Sequence, residues 1–202
     1  MGDNNNPRAD YGPDEFVRPH RFVLSAVYEL PSPQYRSALV RQLLRNWKLA
    51  VVSTIQSGHL LPLLNNSATN AYGVVSDFAE VVPGCNVNTS GSATSKLNNW
   101  INQSCIAPYP VIGDDGMATA FGNSRMGILH GPGQANTDLS VIKMFPLWER
   151  TNLEFRSEFF NVFNQTNFQD PDNTVSDGPS FGHITSTLSN PRIVQFALKL
   201  NF

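Results

Sequence analysis

Apolar and polar residues alternate most regularly along IVQFALKLNF, residues 193–202. Successive side chains of an extended strand point to opposite faces. One face of this segment therefore carries Val194, Phe196, Leu198, Leu200 and Phe202. The other face carries Ile193, Gln195, Ala197, Lys199 and Asn201. The pattern predicts a strand that separates an apolar medium from a polar one.

A second strand with two unlike faces is predicted over residues 151–163. Its polar face carries Asn152, Glu154, Arg156 and Glu158, and its apolar face carries Leu153, Phe155 and Phe159. Such a strand is typical of a membrane barrel with lipid outside and a wet lumen inside. We therefore predict that Asn152, Glu154, Arg156, Glu158, Gln195 and Lys199 face the lumen. The predicted lipid-facing residues are Leu153, Phe155, Phe159, Val194, Phe196, Leu198 and Leu200. A soluble sandwich shows the same alternation with its polar face in solvent, so the pattern alone leaves both architectures open.

Three further strands are predicted near residues 21–30, 47–57 and 138–145. The third alternates poorly, because Ile142 and Lys143 both fall on the wrong face. Residues 37–45, SALVRQLLR, carry apolar side chains at helical spacing and predict one short amphipathic helix. The connection 58–137 is rich in Asn, Ser, Gly and Thr and far longer than usual, which predicts a functional surface loop.

The lengths of the connections favour a barrel in a membrane. About ten residues at roughly 3.3 Å each, tilted by about 45°, rise about 23 Å, close to the apolar band of an outer-membrane barrel. If the C-terminus lies in the periplasm, the loops 58–137 and 164–192 are both extracellular, while the helix and the turn FPLWERT are periplasmic. Outer-membrane barrels sort long and short connections in this way. We predict an all-β fold of about five antiparallel transmembrane strands, a partial barrel with long extracellular loops and one short helix in a periplasmic turn.

Composition excludes several other classes of protein. Only 15% of the 202 residues are charged, and the formal net charge is −2, so we expect no nucleic-acid partner. No run of about 18 apolar residues occurs, so no transmembrane helix is predicted. The 14 Pro, 14 Gly and 13 Phe residues fit a turn-rich, aromatic chain.

Candidate chemistry is sparse. The four histidines are scattered without metal-ligand spacing, and the stretch DPDNTVSDG has Val175 where a calcium loop of the EF-hand type needs Gly. We find no catalytic constellation, and we expect no metal, no cofactor and no enzymatic activity. The only two cysteines, Cys85 and Cys105, both lie in the long loop; an even count in an oxidising compartment favours a disulfide between them.

Several stretches resemble a known family. FGNSRMGILHGPGQANTDLSVIKMFPL, LEFRSEFFNVFNQTNF and FGHITSTLSNPRIVQFALKLNF are similar to the end of the barrel in TonB-dependent outer-membrane receptors. The most similar group is the Oar-like one, whose members carry a carboxypeptidase-regulatory-like domain at their N-terminus. The resemblance extends over nearly the whole chain after residue 10.

The resemblance implies a barrel of about 22 strands, a plug and a TonB box, all N-terminal to these residues. We therefore expect the chain to be the C-terminal segment of a longer receptor in the cell outer membrane. The implied partners are outer-membrane lipid, the barrel assembly machinery, the N-terminal barrel and plug, through them the TonB system, and an unidentified transported ligand. The resemblance also implies that Phe202 and the terminal strand form the assembly signal. A secreted all-β binding module is the alternative function.

Overall fold

The computed structural model describes residues 6–8, 10–32, 37–148 and 150–202. Contacts divide the chain into two compact units. The first, here called the strand unit, consists of Arg21–Gln56, Gln134–Asn167 and Ser189–Phe202. The second, here called the loop unit, consists of Met1–His20, Ser57–Gly133 and Phe168–Leu188.

Most regular structure in the described residues is β-strand. In chain order the elements are β1 (Arg21–Glu29), α1 (Ala38–Leu44), β2 (Trp47–Gln56), β3 (Leu60–Leu61), β4 (Leu64–Asn65), β5 (Asp77–Phe78), β6 (Leu129–His130), β7 (Gln134–Trp148), β8 (Thr151–Phe160) and β9 (Ile193–Asn201). Single 3₁₀ turns occur at Ala71–Gly73, Thr94–Lys96 and Gln103–Cys105, and a longer 3₁₀ segment with a kink at Gly178 occurs at Val175–Ser180. None of the helices in the described part of the chain is long and apolar enough to cross a membrane.

The strand unit is one antiparallel sheet with five strands in the order β1-β2-β7-β8-β9. The five long strands pair in the order in which they occur in the sequence. β1 and β9 form the two open edges of the sheet. The predicted all-β antiparallel class, with one short helix, is confirmed. The sheet does not close on itself.

The third predicted strand is longer than its weak alternation indicated. Residues 138–145 were predicted, whereas β7 extends over Gln134–Trp148. Its ladder with β2 starts at the pair Gln56–Gln134, and its ladder with β8 ends at Trp148–Thr151. Backbone pairing with two neighbours therefore determines the bounds of this strand, and the predicted loop 58–137 ends at residue 133.

The fourth predicted strand is shorter than residues 151–163. β8 ends at Phe160, because Asn161 has a φ of 50°, a left-handed conformation that Asn tolerates better than most residues. Its backbone N–H donates to Asp138 Oδ1 at 2.9 Å and not to the ladder. The chain thus leaves the sheet three residues earlier than predicted.

The register divides the side chains of the sheet into two faces. The apolar face carries Phe22, Leu24, Ala26, Tyr28, Trp47, Leu49, Val51, Ser53, Ile55, Ala135, Thr137, Leu139, Val141, Lys143, Phe145, Leu153, Phe155, Ser157, Phe159, Val194, Phe196, Leu198 and Leu200. The polar face includes Arg21, Glu29, Lys48, Gln56, Gln134, Asp138, Asn152, Glu154, Arg156, Glu158, Gln195 and Lys199. Lys143 does lie on the apolar face and Ile142 on the polar face, as the sequence indicated.

The loop unit has its own core, to which both long connections contribute. Eleven buried residues form this core: Leu61, Leu63, Ala79, Val81, Val87, Trp100, Ile101, Cys105, Leu129, Phe181 and Ile184. They come from separate short stretches of the two connections, so no single strand or helix period connects them. Two short ladders, β3 with β6 and β4 with β5, join distant parts of the unit.

Candidate functional site

The polar face of the sheet carries a charged cluster on β8. Arg156 donates to Glu154 Oε1 from Nη2 at 2.9 Å and from Nε at 3.1 Å, and its Nη1 lies 3.5 Å from Glu158 Oε1. Residues two apart on a strand share a face, which places the three side chains side by side. Their exposed fractions are 16% for Glu154, 22% for Glu158 and 42% for Arg156.

Further polar pairs extend this lining across the sheet. Lys48 Nζ on β2 contacts Glu29 Oε1 on β1 at 2.7 Å. Lys199 on β9 stands opposite Glu154 in the register. Acidic and basic groups are therefore interspersed on one face of the sheet.

Three polar residues of the apolar face, Ser53, Thr137 and Lys143, have hydrogen-bond partners. The Ser53 and Thr137 hydroxyls lie 2.9 Å apart on neighbouring strands, so they satisfy each other. Lys143 is 1% exposed, and its Nζ donates to the carbonyl of Gln42 at 2.8 Å and to that of Arg45. Its ammonium also lies 5.3 Å from the ring centre of Trp47.

The contacts of Lys143 are with the C-terminal end of α1. The last carbonyls of a helix have no partner within the helix, and a cation there is favourable. Trp47 adds a bond from Nε1 to the carbonyl of Leu43 at 2.8 Å. The sequence pattern placed Lys143 on the apolar face, as the structure does, but indicated no partner for it. The available signal was the short helix α1, which two residues separate from β2.

The loop unit contains an open groove of about 560 Å³. Its lining includes Val82, Pro83, Cys85, Asn123, Arg125 and Ile128. Cys85 is bonded to Cys105 in the structure, with 5.5 Å between their Cα atoms. With Asn86 the lining has two amides and one guanidinium beside its apolar part, which suits a small ligand that has both apolar and anionic parts.

Asn123 fixes one wall of the groove. Its side chain accepts from the Val81 N–H at 2.7 Å and donates to the Val81 carbonyl at 2.8 Å and to Glu80 Oε1 at 2.7 Å. Burial raises the pKa of Glu80, against the lowering effect of the bond from Asn123, and the nearby Asp77 carboxylate raises that pKa further. Burial also raises the pKa of Tyr109 to about 12.

Buried polar groups behind this wall are satisfied within the unit. Asp77 is fully buried; it accepts from the N–H of Phe78 at 2.8 Å and from that of Gly122 at 3.0 Å. The Tyr109 hydroxyl donates to the Phe78 carbonyl. These bonds rigidify the backbone that carries the groove.

In the Asp-rich segment that was compared with a calcium loop, the carboxylates contact groups of the same chain. Asp170 Oδ2 lies 2.6 Å from His59 Nδ1. Asp172 accepts from the N–H of Thr174 at 3.0 Å and from the hydroxyl of Ser180 at 2.7 Å. Among the residues that the structure describes, no three potential metal ligands come together.

The structure brings the sequence-predicted residues of β8 and β9 onto two common faces. Leu153, Phe155, Phe159, Val194, Phe196, Leu198 and Leu200 share one face, and Asn152, Glu154, Arg156, Glu158, Gln195 and Lys199 share the other. Which medium each face meets stays a prediction. Phe202 follows β9 and is exposed, and its role in assembly stays a prediction.

Five antiparallel strands with one apolar and one polar face are the arrangement found in the wall of a β-barrel that crosses a membrane. The chain belongs to the outer membrane beta barrel domain family, whose model matches residues 1–195. Membership of this family places the chain in the cell outer membrane. No curated protein and no solved structure matches the chain.

Proposed function

We propose that the chain is part of the barrel of a TonB-dependent receptor that takes up a ligand through the outer membrane. The observation that carries the proposal is the contrast between the two faces of the sheet. Large apolar side chains remain uncovered on one face, with Phe196 67% and Leu198 68% exposed. The opposite face carries the ion pairs of Arg156 and Lys48. A wall with lipid outside and water inside accounts for both faces.

The open edges of the sheet support a larger barrel. Backbone groups that face lipid without partners are costly, so spanning sheets are closed. Bacterial outer-membrane barrels have at least about eight strands, whereas this sheet has five. In this proposal further strands of the same receptor pair with β1 and β9, and its plug fills the lumen.

The connections indicate an orientation. Arg21, Gln56 and Gln134 are neighbours in the register, and β8 and β9 are joined by the long connection at that same end of the sheet. The helix connection and the short turn between β7 and β8 are at the other end. We assign the end with the long connections to the cell exterior, because outer-membrane barrels have their long loops there. The groove beside Arg125 then belongs to an extracellular surface that meets the ligand.

The proposed function involves several partners and no catalytic step. Lipid surrounds the apolar face, the barrel assembly machinery inserts the strands, and TonB supplies energy through the plug. The closeness to TonB-dependent receptors rests on the stretches quoted above, of which EFFNVFN, residues 158–164, now forms the end of β8 and the turn after it.

The test uses the full-length receptor in its native outer membrane. We expect a band on detergent gels that shifts on boiling, and binding of the purified protein to the periplasmic domain of TonB in a pull-down. A receptor that shifts on boiling but does not bind TonB would be an outer-membrane barrel with another function, and the proposed TonB-dependent uptake would be wrong. Protein recovered from the culture medium with no shift on boiling would support the secreted binding module.

A further inference from the structure

We propose that α1 is a membrane-interface helix, which inserts its leucine side chains among the phospholipids of the periplasmic leaflet beside the barrel wall. The inference rests on the proposed function, because it takes the apolar face of the sheet as the face toward lipid. It adds a lipid-binding element at one site of that wall.

The first observation is an uncovered apolar stripe along the helix. Leu39, Val40, Leu43 and Leu44 are spaced so that they share one side of a helical turn, and all four are exposed. Leu39 is 77% and Leu43 62% exposed. A helix this short is not stable through its own hydrogen bonds, so an apolar side of this size needs a medium that covers it.

The second observation is the place where the helix is attached. Lys143 and Trp47 both lie on the apolar face of the sheet, opposite each other in the register of β2 and β7. Lys143 donates to the carbonyls of Gln42 and Arg45, and Trp47 donates to that of Leu43. The C-terminal end of α1 is therefore held on the apolar side of the sheet and not on the side of the ion pairs.

The third observation is the chemistry of the polar side of the helix. Arg41 and Gln42 occupy it, Arg45 follows, and no acidic residue lies in the first turn. Basic residues opposite a leucine face, with a Trp at the junction, are typical of helices that lie in the plane of a membrane interface. Basic side chains also suit the anionic headgroups of phospholipids.

The apolar side of α1 is continuous with the apolar face of the sheet, which indicates that lipid covers both. The apolar face of the sheet continues through Trp47 and Phe145 to the place where Lys143 meets the helix. A leucine stripe that begins there lies against the same medium as the wall. The helix would then also remove the charge of Lys143 from contact with acyl chains.

The experiment measures the surroundings of single spin labels on the full-length receptor in outer-membrane vesicles. Cysteine variants Leu43→Cys and Arg41→Cys carry the label on the two sides of α1, and Phe155→Cys reports the apolar face of the sheet. Cys85 and Cys105 are bonded to each other and do not take the label without reductant. Collision with oxygen, which enriches in lipid, is compared with collision with a water-soluble nickel chelate.

We expect the label at Leu43 and at Phe155 to collide with oxygen several-fold more often than with the nickel chelate. At Arg41 we expect collisions with the nickel chelate to be the more frequent. If nickel prevails at Leu43 while oxygen prevails at Phe155, the inference fails and the barrel proposal stands. If nickel prevails at both, the proposed lipid face is itself wrong. A label at Leu43 that neither reagent reaches would show a protein partner, such as a second copy, and would overturn the inference.

A second variant tests the attachment. Lys143→Met keeps an unbranched side chain of similar length but removes the donor to the two carbonyls. We expect the spectrum of the Leu43 label to lose its immobilised component, while Lys143→Arg retains it and the receptor still shifts on boiling. An unchanged spectrum in Lys143→Met would overturn the role of Lys143 as the anchor of α1.

Discussion

Phe155→Arg is the substitution that most directly tests which face of the sheet meets lipid. Phe155 lies near the middle of the ten residues of β8, on the apolar face. Its ring stacks against that of Phe196 on β9, with 6.2 Å between centres and 14° between planes. Arginine at this position places a guanidinium where the barrel proposal has the middle of the bilayer.

The magnitude follows from two losses. A cationic side chain on the lipid face costs about 2–4 kcal/mol at the midplane. The aromatic pair contributes about 0.5–1.5 kcal/mol beyond its buried area. We therefore expect Phe155→Arg to lower the free energy of unfolding by about 2.5–5.5 kcal/mol, the sum of the two.

Arg156→Ala is the neighbouring change on the opposite face. Its guanidinium is 42% exposed, and partly exposed ion pairs contribute only about 0–1 kcal/mol because water screens them. We expect this variant to lose about 1 kcal/mol, several times less than Phe155→Arg. Phe159→Arg is the matched control, because it adds the same charge near the end of β8, where the cost falls to about 0–1 kcal/mol.

The assay is urea unfolding of the full-length receptor in lipid vesicles, with the folded fraction read from the band shift on unboiled gels. In cells, we expect the amount of each variant in the outer membrane, measured on a blot, to follow the same order as the unfolding free energies. A greater loss in Arg156→Ala than in Phe155→Arg would refute the assignment of the faces. Equal losses of unfolding free energy in Phe155→Arg and Phe159→Arg would show that the cost of the charge does not depend on depth in a bilayer.

Three further predictions concern other parts of the chain. Cys85 and Cys105 should resist alkylation until reductant is added, and breaking their 20-residue loop should destabilise the loop unit by about 3 kcal/mol in thermal unfolding; ready alkylation without reductant would reject the bond. Because the pKa of Tyr109 is raised to about 12 in the fold from an ordinary value near 10, its contribution to stability is present below pH 10 and lost between pH 10 and 12. Tyr109→Phe should remove that alkaline loss from an unfolding series, and an identical loss in the variant would contradict the assignment. Deleting Phe202 should lower the amount of receptor in the outer membrane on a fractionation blot, whereas an unchanged amount would count against its role as an assembly signal.

Alternation with a period of two determined the faces of the terminal strands. Val194, Phe196 and Leu198 share a face in any extended conformation, because side-chain direction on a strand depends only on local backbone geometry. The same local rule applied to β8, where Glu154 and Arg156 lie on the polar face. These segments needed no tertiary information for their faces, although the media on the two sides do not follow from alternation.

The ends of the middle strands depended on partners far away in the chain. β7 contains a Lys and an Ile on unexpected faces, so its local pattern is weak. Pairing with β2 and β8 extends it to Gln134–Trp148, because ladder hydrogen bonds form whether or not the side chains alternate. The side-chain pattern of β7 carries no signal for those backbone bonds.

The sequence by itself thus determined the all-β class, the approximate places of five strands and the helix, and the faces of the regular strands. Only the tertiary structure decided that Lys143 is held by the end of α1 and that residues from separate stretches, such as Leu63 and Ile101, form one core. The difference has one physical cause. Periodicity reports contacts along a single element, whereas a carbonyl about 100 residues away or a core gathered from scattered positions depends on the path of the chain in three dimensions.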